Sequence, residues 1–306
     1  LMATAADLPG SDATVRVETE GNPDYGTADG WLTRTSKLSH TVFWLIQASS
    51  VLVFVVGAPL GAVALAVATY SARVFGITGV YHRYFAHKTY RTGRVFQFLL
   101  AFLATSATQK GPLWWAGTHR RHHRYSDLPG DVHSPKDGLW YSHCGWIFDE
   151  RWGGTPVDQI RDFAKYPEIQ WLNRWHWVPP ITLALFCYAV GGFAGLVWGY
   201  VVSTTVLWHT TFSVNSVCHL VGRRRYATSD TSRNNWLIAL LTFGEGWHNN
   251  HHHYMSSVRM GFRWWEIDLT YYILRAFKAV GLIWDLREPS EAALERNLID
   301  REREAA

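Results

Sequence analysis

Basic residues divide this chain before any motif is considered. No Lys or Arg occurs in residues 38–72 or 175–222. Within the first tract, residues 40–56 are nearly all apolar, Gly57-Ala58-Pro59 interrupts them, and residues 60–80 resume the run up to His82. A helix rising about 1.5 Å per residue over such lengths comes close to crossing a hydrocarbon core of roughly 30 Å. The short interruption predicts a helical hairpin, with Arg73 near the end of its second arm and its stem snorkelling to the interface. The second tract repeats the design: residues 177–190, a turn at Gly191-Gly192, then residues 193–214.

The intervening stretches read differently. Residues 96–108 are apolar but only about a dozen in number, short for a crossing, and are expected to form an interfacial or re-entrant helix. Residues 125–176 are polar, Trp-rich and punctuated by Gly and Pro, as in a soluble cap. Residues 262–286 carry Trp264, Trp265 and Trp284 beside Arg263, Glu266, Asp268, Arg275 and Lys278. That is too much charge for a lone crossing and predicts an amphipathic interfacial helix. The expected fold is therefore an all-α integral membrane protein with four spans in two hairpins and a helical cap. Residues 1–37 read as a disordered tail rather than a signal peptide, 38–286 as the working domain, and 287–306 as a polar, helical tail. Four spans put both termini and every histidine group on one side. The two connecting turns hold no Lys or Arg, so that side is cytoplasmic by the positive-inside rule.

Composition sharpens this picture at two points. Seventeen Trp fit an interfacial belt and core, while fifteen His demand a chemical reason. The net charge of +4 is mild, and no nucleic-acid partner is expected. Cys144, Cys187 and Cys218 lack paired spacing, which argues against a disulfide framework or a cysteine-ligated cluster.

The histidines recur at helical spacing. His248, His251 and His252 stand at i, i+3 and i+4, so a helix presents all three from one face, and His119, His122 and His123 repeat the pattern. Asn215 and His219 lie one turn apart. His82 and His87, at i and i+5, would point about 140° apart on a regular helix and so serve different metals or flank a helix end. Nine histidines and one amide exceed the four ligands of one zinc and suit two metals. Sharing a centre also keeps residues 96–108 from crossing, since a crossing would put His82 and His119 on opposite sides. Asp127, Asp131 and Glu245 are candidate acceptors for the ligands' outward N–H groups. His40, His133, His143, His176 and His209 read as ordinary hydrogen-bonded residues, and His253 as a non-ligand.

The segments His82-Arg83-Tyr84-Phe85-Ala86-His87, His119-Arg120-Arg121-His122-His123 and His248-Asn249-Asn250-His251-His252 resemble the three histidine boxes of the membrane fatty-acid desaturases. They are most similar to the Δ9 acyl-CoA (stearoyl-CoA) branch, in a bacterial-like form. Gly76-Ile77-Thr78, Trp115, Ser142-His143-Cys144-Gly145-Trp146 and Asn215-Ser216-Val217-Cys218-His219 extend the match over residues 38–286. The resemblance implies a di-iron centre held by the nine histidines, with Asn215 reaching one iron through water and His143 behind the ligands. It implies O2 as co-substrate, a cis double bond as product and a bent acyl tunnel. Ala66 and Tyr70 are candidates for the tunnel floor, and Gln109, Trp115 and Phe212 for its wall. Tyr70→Ala is expected to lengthen the accepted chain. Two departures stand out: Gly117 and Thr118 replace an Arg-Asp pair that contacts CoA in animal enzymes, and Phe212 replaces a Trp. Acyl-CoA is the first expectation for the substrate, with an acyl-lipid or another thioester close behind.

No haem-binding or rubredoxin-like stretch and no dinucleotide loop is present, so electrons must come from a separate cytochrome b5-like or ferredoxin-type donor. Arg120, Arg121, Arg124 and Arg223 to Arg225 offer a positive face for that donor or for anionic membrane lipid. A bacterial inner membrane is the expected location. Two rival readings are a related hydroxylase or ketolase and a non-oxidative zinc protein. Against the zinc protein, no histidine or acidic residue interrupts the middle of the first three predicted spans, and only His209 lies inside the fourth.

Overall fold

The computed structural model describes residues 37–299, so the expected N-terminal tail lies almost wholly outside the described residues. The chain begins with α1 (Lys37–Ser49), continues through a 3-10 turn and a short helix to Val56, and breaks at Gly57, whose φ is +65°. Pro59 then opens α2 (Leu60–Phe75), its carbonyl accepting the amides of Ala62 and Val63. This helix runs without interruption into a π-helical stretch, Gly76–Ala86. Next come α3 (Arg94–Thr105) and α4 (Pro112–Tyr125), the latter opened by a proline at its first turn, where no amide is needed.

After the cap come α5 (Val178–Leu196) and α6 (Ser203–Leu220), joined by a π-helical stretch at Val197–Val202. The chain doubles back within α5 at Gly192, where φ +59° and ψ −151° leave helical space. Gly195 and Gly199 beyond it pack on Cys187 so closely that a Cβ at either would strike it. Small residues there let two backbones approach. The Trp198 indole donates to the Gly57 carbonyl (2.8 Å), tying the first turn to the π-helical stretch beyond the second. Two helices, Leu60–Ala86 and Val178–Leu220, are long and apolar enough to cross a membrane, and His40–Val56 and Arg94–Thr105 are shorter apolar helices. Phe54, Leu60, Leu185 and Val190 are exposed on these elements.

Arg73 does not snorkel. It is 1% exposed, and its guanidinium donates to Thr204 Oγ1 (2.6 Å), Ser203 Oγ (2.5 Å) and the Thr69 carbonyl (3.1 Å). Hydroxyls on α6 face it across the bundle, so hydrogen bonds inside the protein replace those the interface would have offered. Residues 262–286 also depart from expectation. Only α8 (Leu269–Ala279) is helical, capped by the Asp268 carboxylate on the Tyr271 amide (3.0 Å). Gly281, at φ +75°, then turns the chain into a two-residue strand, Ile283–Trp284, antiparallel to Arg91–Thr92. The described part of the C-terminal tail is helical only over Glu291–Glu295. It is strapped to the segment after α6 through Ala227 N to Asn297 O and Ile299 N to Arg225 O.

Candidate metal centre

Of the two expectations for His82 and His87, a helix end holds, since His87 caps the π-helical stretch, and assignment to different metals does not. A π turn bonds residue i to i+5 rather than i+4, and the His87 amide does donate to the His82 carbonyl (3.1 Å). Five residues therefore bring the two side chains to one face, with ring centroids 4.7 Å apart. They belong to one group, with His119, His123 and His251. A second group comprises His122, His219, His248 and His252. Each triplet is thus split, because i, i+4 pairs lie nearly in line along a helix while the i+3 member is rotated aside. His119 and His123 face the first group and His122 the second. On α7 (His248–His253), His248 and His252 face the second and His251 the first.

In the first group, four contacts link five Nε2 atoms: His82 to His251 (3.1 Å), His251 to His123 (3.0 Å), His123 to His119 (3.0 Å) and His119 to His87 (3.1 Å). In the second, His219 and His248 Nε2 lie 3.0 Å apart, while the buried Nε2 atoms of His122 and His252 find no partner among the described residues. Two imidazole nitrogens bound at about 2.1 Å and at right angles stand about 3.0 Å apart. Both groups therefore fit a metal ion.

Carboxylates take the outward nitrogens. Asp131 meets His122 Nδ1 (2.8 Å), Asp127 meets His219 Nδ1 (3.2 Å), Asp230 meets His252 Nδ1 (2.7 Å), and Glu245 meets His82 Nδ1. Such partners fix each ring's tautomer and turn the Nε2 lone pair inward. Asp230 went unnoticed in the sequence. Its signal was faint: it is the one acidic residue between Arg225 and Glu245. Glu245 also accepts from the buried Arg83, which in turn pairs with Asp268 (3.0 Å). The asparagines inside the third histidine run hold α7 in place. Asn249 Oδ1 accepts the Arg225 and Tyr226 amides (2.8 Å each), and Asn250 Nδ2 donates to the Met260 carbonyl (2.9 Å).

Burial, reinforced by neighbouring imidazoles, holds His119, His123, His248 and His251 well below the usual histidine range. Burial pushes His252 down to about 4 despite Asp230. Burial also pulls on His122, but Asp131 beside it leaves that ring raised. For Asp127, Asp131 and Asp230 burial acts upward, yet hydrogen bonds and charge from His219, His122 and His252 hold them well below the carboxylate range. Mostly neutral rings backed by ionised carboxylates are what metal ligation requires.

A cavity opens beside the first group, lined by Gln109, Trp114, Trp115, Thr118, His119, His133, Trp146, Thr211, Phe212 and Asn215. Asn215 thus faces this space. His133, read from sequence as an ordinary polar residue, is buried against the His122 ring (4.2 Å between centroids). His143 does not stand behind a ligand: it contacts Ser216 Oγ and His209 Nδ1 (3.0 Å each). Ala66 and Tyr70 are not among the lining residues. Ala66 is buried, and the Tyr70 hydroxyl contacts Thr210 Oγ1 (3.1 Å) and the Leu241 carbonyl (2.7 Å). His253 turns away, donating to the Ala293 carbonyl (2.7 Å) and stacking on Tyr226.

The fold and this centre define a helical protein suited to hold two metal ions through imidazole beside an aromatic-walled cavity. Residues 56–283 match the fatty acid desaturase family, and the chain belongs to it. It is 40% identical over 227 residues to the palmitoyl-monogalactosyldiacylglycerol delta-7 desaturase, chloroplastic, of Arabidopsis thaliana, spanning 73% of this chain and 61% of that protein. It is 38% identical over 235 residues to delta-9 acyl-lipid desaturase 2 of Arabidopsis thaliana, spanning 76% of each. It is also 38% identical over 228 residues to icosanoyl-CoA 5-desaturase of Limnanthes douglasii, spanning 73% of this chain and 64% of that one. These relatives are plant proteins and differ in both carrier and bond position.

Proposed function

We propose that this chain inserts a cis double bond into a saturated acyl chain, using two histidine-held irons, dioxygen and an external electron donor. The observation that carries this reading is the convergence of nine imidazole nitrogens into two adjacent groups, four of them backed by carboxylates. When bound, iron supplies dioxygen activation and hydrogen removal. His82, His87, His119, His123 and His251 would hold one iron, and His122, His219, His248 and His252 the other. Asn215 stands where it would approach the centre from the cavity. The protein's contribution is positional: Trp115, Phe212 and Thr211 wall the cavity, orient one methylene and keep water out.

For the carrier we place an acyl-lipid ahead of acyl-CoA, reversing the first expectation. A Cβ on Gly117 would meet Pro156 at 2.7 Å, so no cation can project there toward a CoA phosphate. Acyl-lipid desaturases are also among the relatives. We further propose four crossings. The break at Gly192 divides Val178–Leu220 into two arms, and α1 with its extension to Val56 completes the first hairpin. Lys and Arg are missing from both turns, which supports a cytoplasmic centre.

The test is expression in cells unable to make unsaturated fatty acids, followed by lipid and metal analysis. The expected result is a monoene of fixed double-bond position and about two irons per chain. Hydroxylated lipid instead would favour a hydroxylase, and active protein holding zinc alone would overturn the oxidative reading.

A further inference from the structure

The aromatic cavity has a hydrogen-bonding defect beside the metal centre. Of its three tryptophans, Trp114 donates its indole N–H to the Trp152 carbonyl (2.8 Å) and Trp115 to Gln109 Oε1 (3.0 Å). The Gln109 amide nitrogen in turn donates to Thr211 Oγ1 (2.9 Å). Trp146 is different. Its Nε1 is buried and finds no partner among the described residues, and the same holds for Nδ1 of His133. Both residues line this cavity, with ring centroids 5.3 Å apart. Trp146 is held in place by stacking on Trp114 at 2° between planes, and the His133 backbone amide is tied to Asp131 Oδ1 (3.3 Å). Two rings that each carry an orphaned nitrogen therefore stand side by side in the cavity lining.

An indole N–H can only donate, and buried donors in native proteins are almost always satisfied. An occupant that satisfies them brings an oxygen acceptor into a space walled by both aromatic and polar side chains. We propose that the Trp146 N–H, with His133 Nδ1 beside it, receives the carbonyl oxygen of the acyl substrate. This rests on the acyl-desaturase reading and adds to it the group that sets bond position. A saturated chain is featureless apart from its carbonyl, and the double bond is counted from that end. Anchoring the oxygen at a fixed distance from His119 selects which methylene lies over the metals. Trp146 is a positioning residue, acting on the end of the substrate remote from the reacting carbons.

The experiment compares methyl palmitate with methyl hexadecyl ether, which lacks the carbonyl, as ligands for the full metal-loaded chain in lipid nanodiscs without reductant. Wild type should prefer the ester by roughly tenfold, the scale of one hydrogen bond to a buried donor. Trp146→Phe keeps the stacked ring, removes the donor and should bind the two ligands equally. In cells, the variant should make monoenes spread over neighbouring positions. Absence of an ester preference in wild type overturns the assignment even if the variant does not fold. An unchanged preference, or an unchanged single product, in Trp146→Phe overturns it equally. Because binding is read without turnover, this failure is distinct from wild type producing no monoene in cells, which would instead overturn the desaturase reading.

Discussion

The two histidine groups share α4 and α7 but are built to different standards. The second, His122, His219, His248 and His252, is wholly buried, and carboxylates stand behind three of its four rings. In the first, His87, His119 and His123 are half-buried, and among the described residues Glu245 behind His82 is its one carboxylate support. The first thus relies on the number of its nitrogens, and the second on how rigidly fewer nitrogens are held. Four nitrogens would close a tetrahedral ion such as zinc but leave positions open on an ion of higher coordination number, whereas five come nearer to closing that sphere too.

The largest effects should follow from removing ligands, and the two groups should respond unequally. His252→Ala leaves its group with three nitrogens and should reduce bound metal from about two ions to about one per chain, with desaturation lost. His87→Ala leaves four nitrogens in the first group, so most of its metal should remain while activity falls steeply. Metal analysis of the purified variants checks this, and equal metal loss in both would erase the proposed asymmetry. A smaller effect is expected one layer out. Asp230→Asn keeps the shape but weakens the hold on His252, and should lower metal affinity about 10- to 100-fold, measured by competition with a chelator. No decline would show that burial alone orients that ring.

The asymmetry also explains what could be read from residue order. The helices announced themselves through uncharged tracts and through Gly57 and Gly192, where positive φ turns the chain. All nine converging histidines stood out by spacing. Their division did not, because that depends on helix rotation and on a π-helical stretch that side-chain pattern does not encode. Asp230 belongs to the same class: it reaches His252 through the loop after α6, and no periodicity connects the two. Arg73 looked interfacial because the hydroxyls that satisfy it lie about 130 residues further along the chain.

The π-helical stretch can be probed without touching a ligand. Gly76 opens it, and a Cβ there would meet the Ala104 backbone at 2.8 Å. Gly76→Ala should therefore push α3 off the helix, costing about 1–3 kcal/mol of stability as for other overpacked cores. The first group should loosen before the second, since His82 and His87 ride on this stretch and no ligand of the second does. Thermal unfolding and metal titration of the same variant would show whether the two groups can be uncoupled.

The smallest effect belongs to the histidine that adjoins the ligands and is not one. His253 extends the third run by one residue and reads from the sequence as a non-ligand, although its side-chain chemistry alone cannot distinguish it from His252. Position on α7 can: one further residue rotates the ring away from both groups, onto Tyr226 and the Ala293 carbonyl. His253→Ala removes one hydrogen bond and one stacked ring near the C-terminal strap, a loss of about 0.5–1.5 kcal/mol. Metal content and product should be unchanged. If His253→Ala instead lost metal, α7 would have to be rotated by a residue. The assignment of His248, His251 and His252 between the groups would then fall with it.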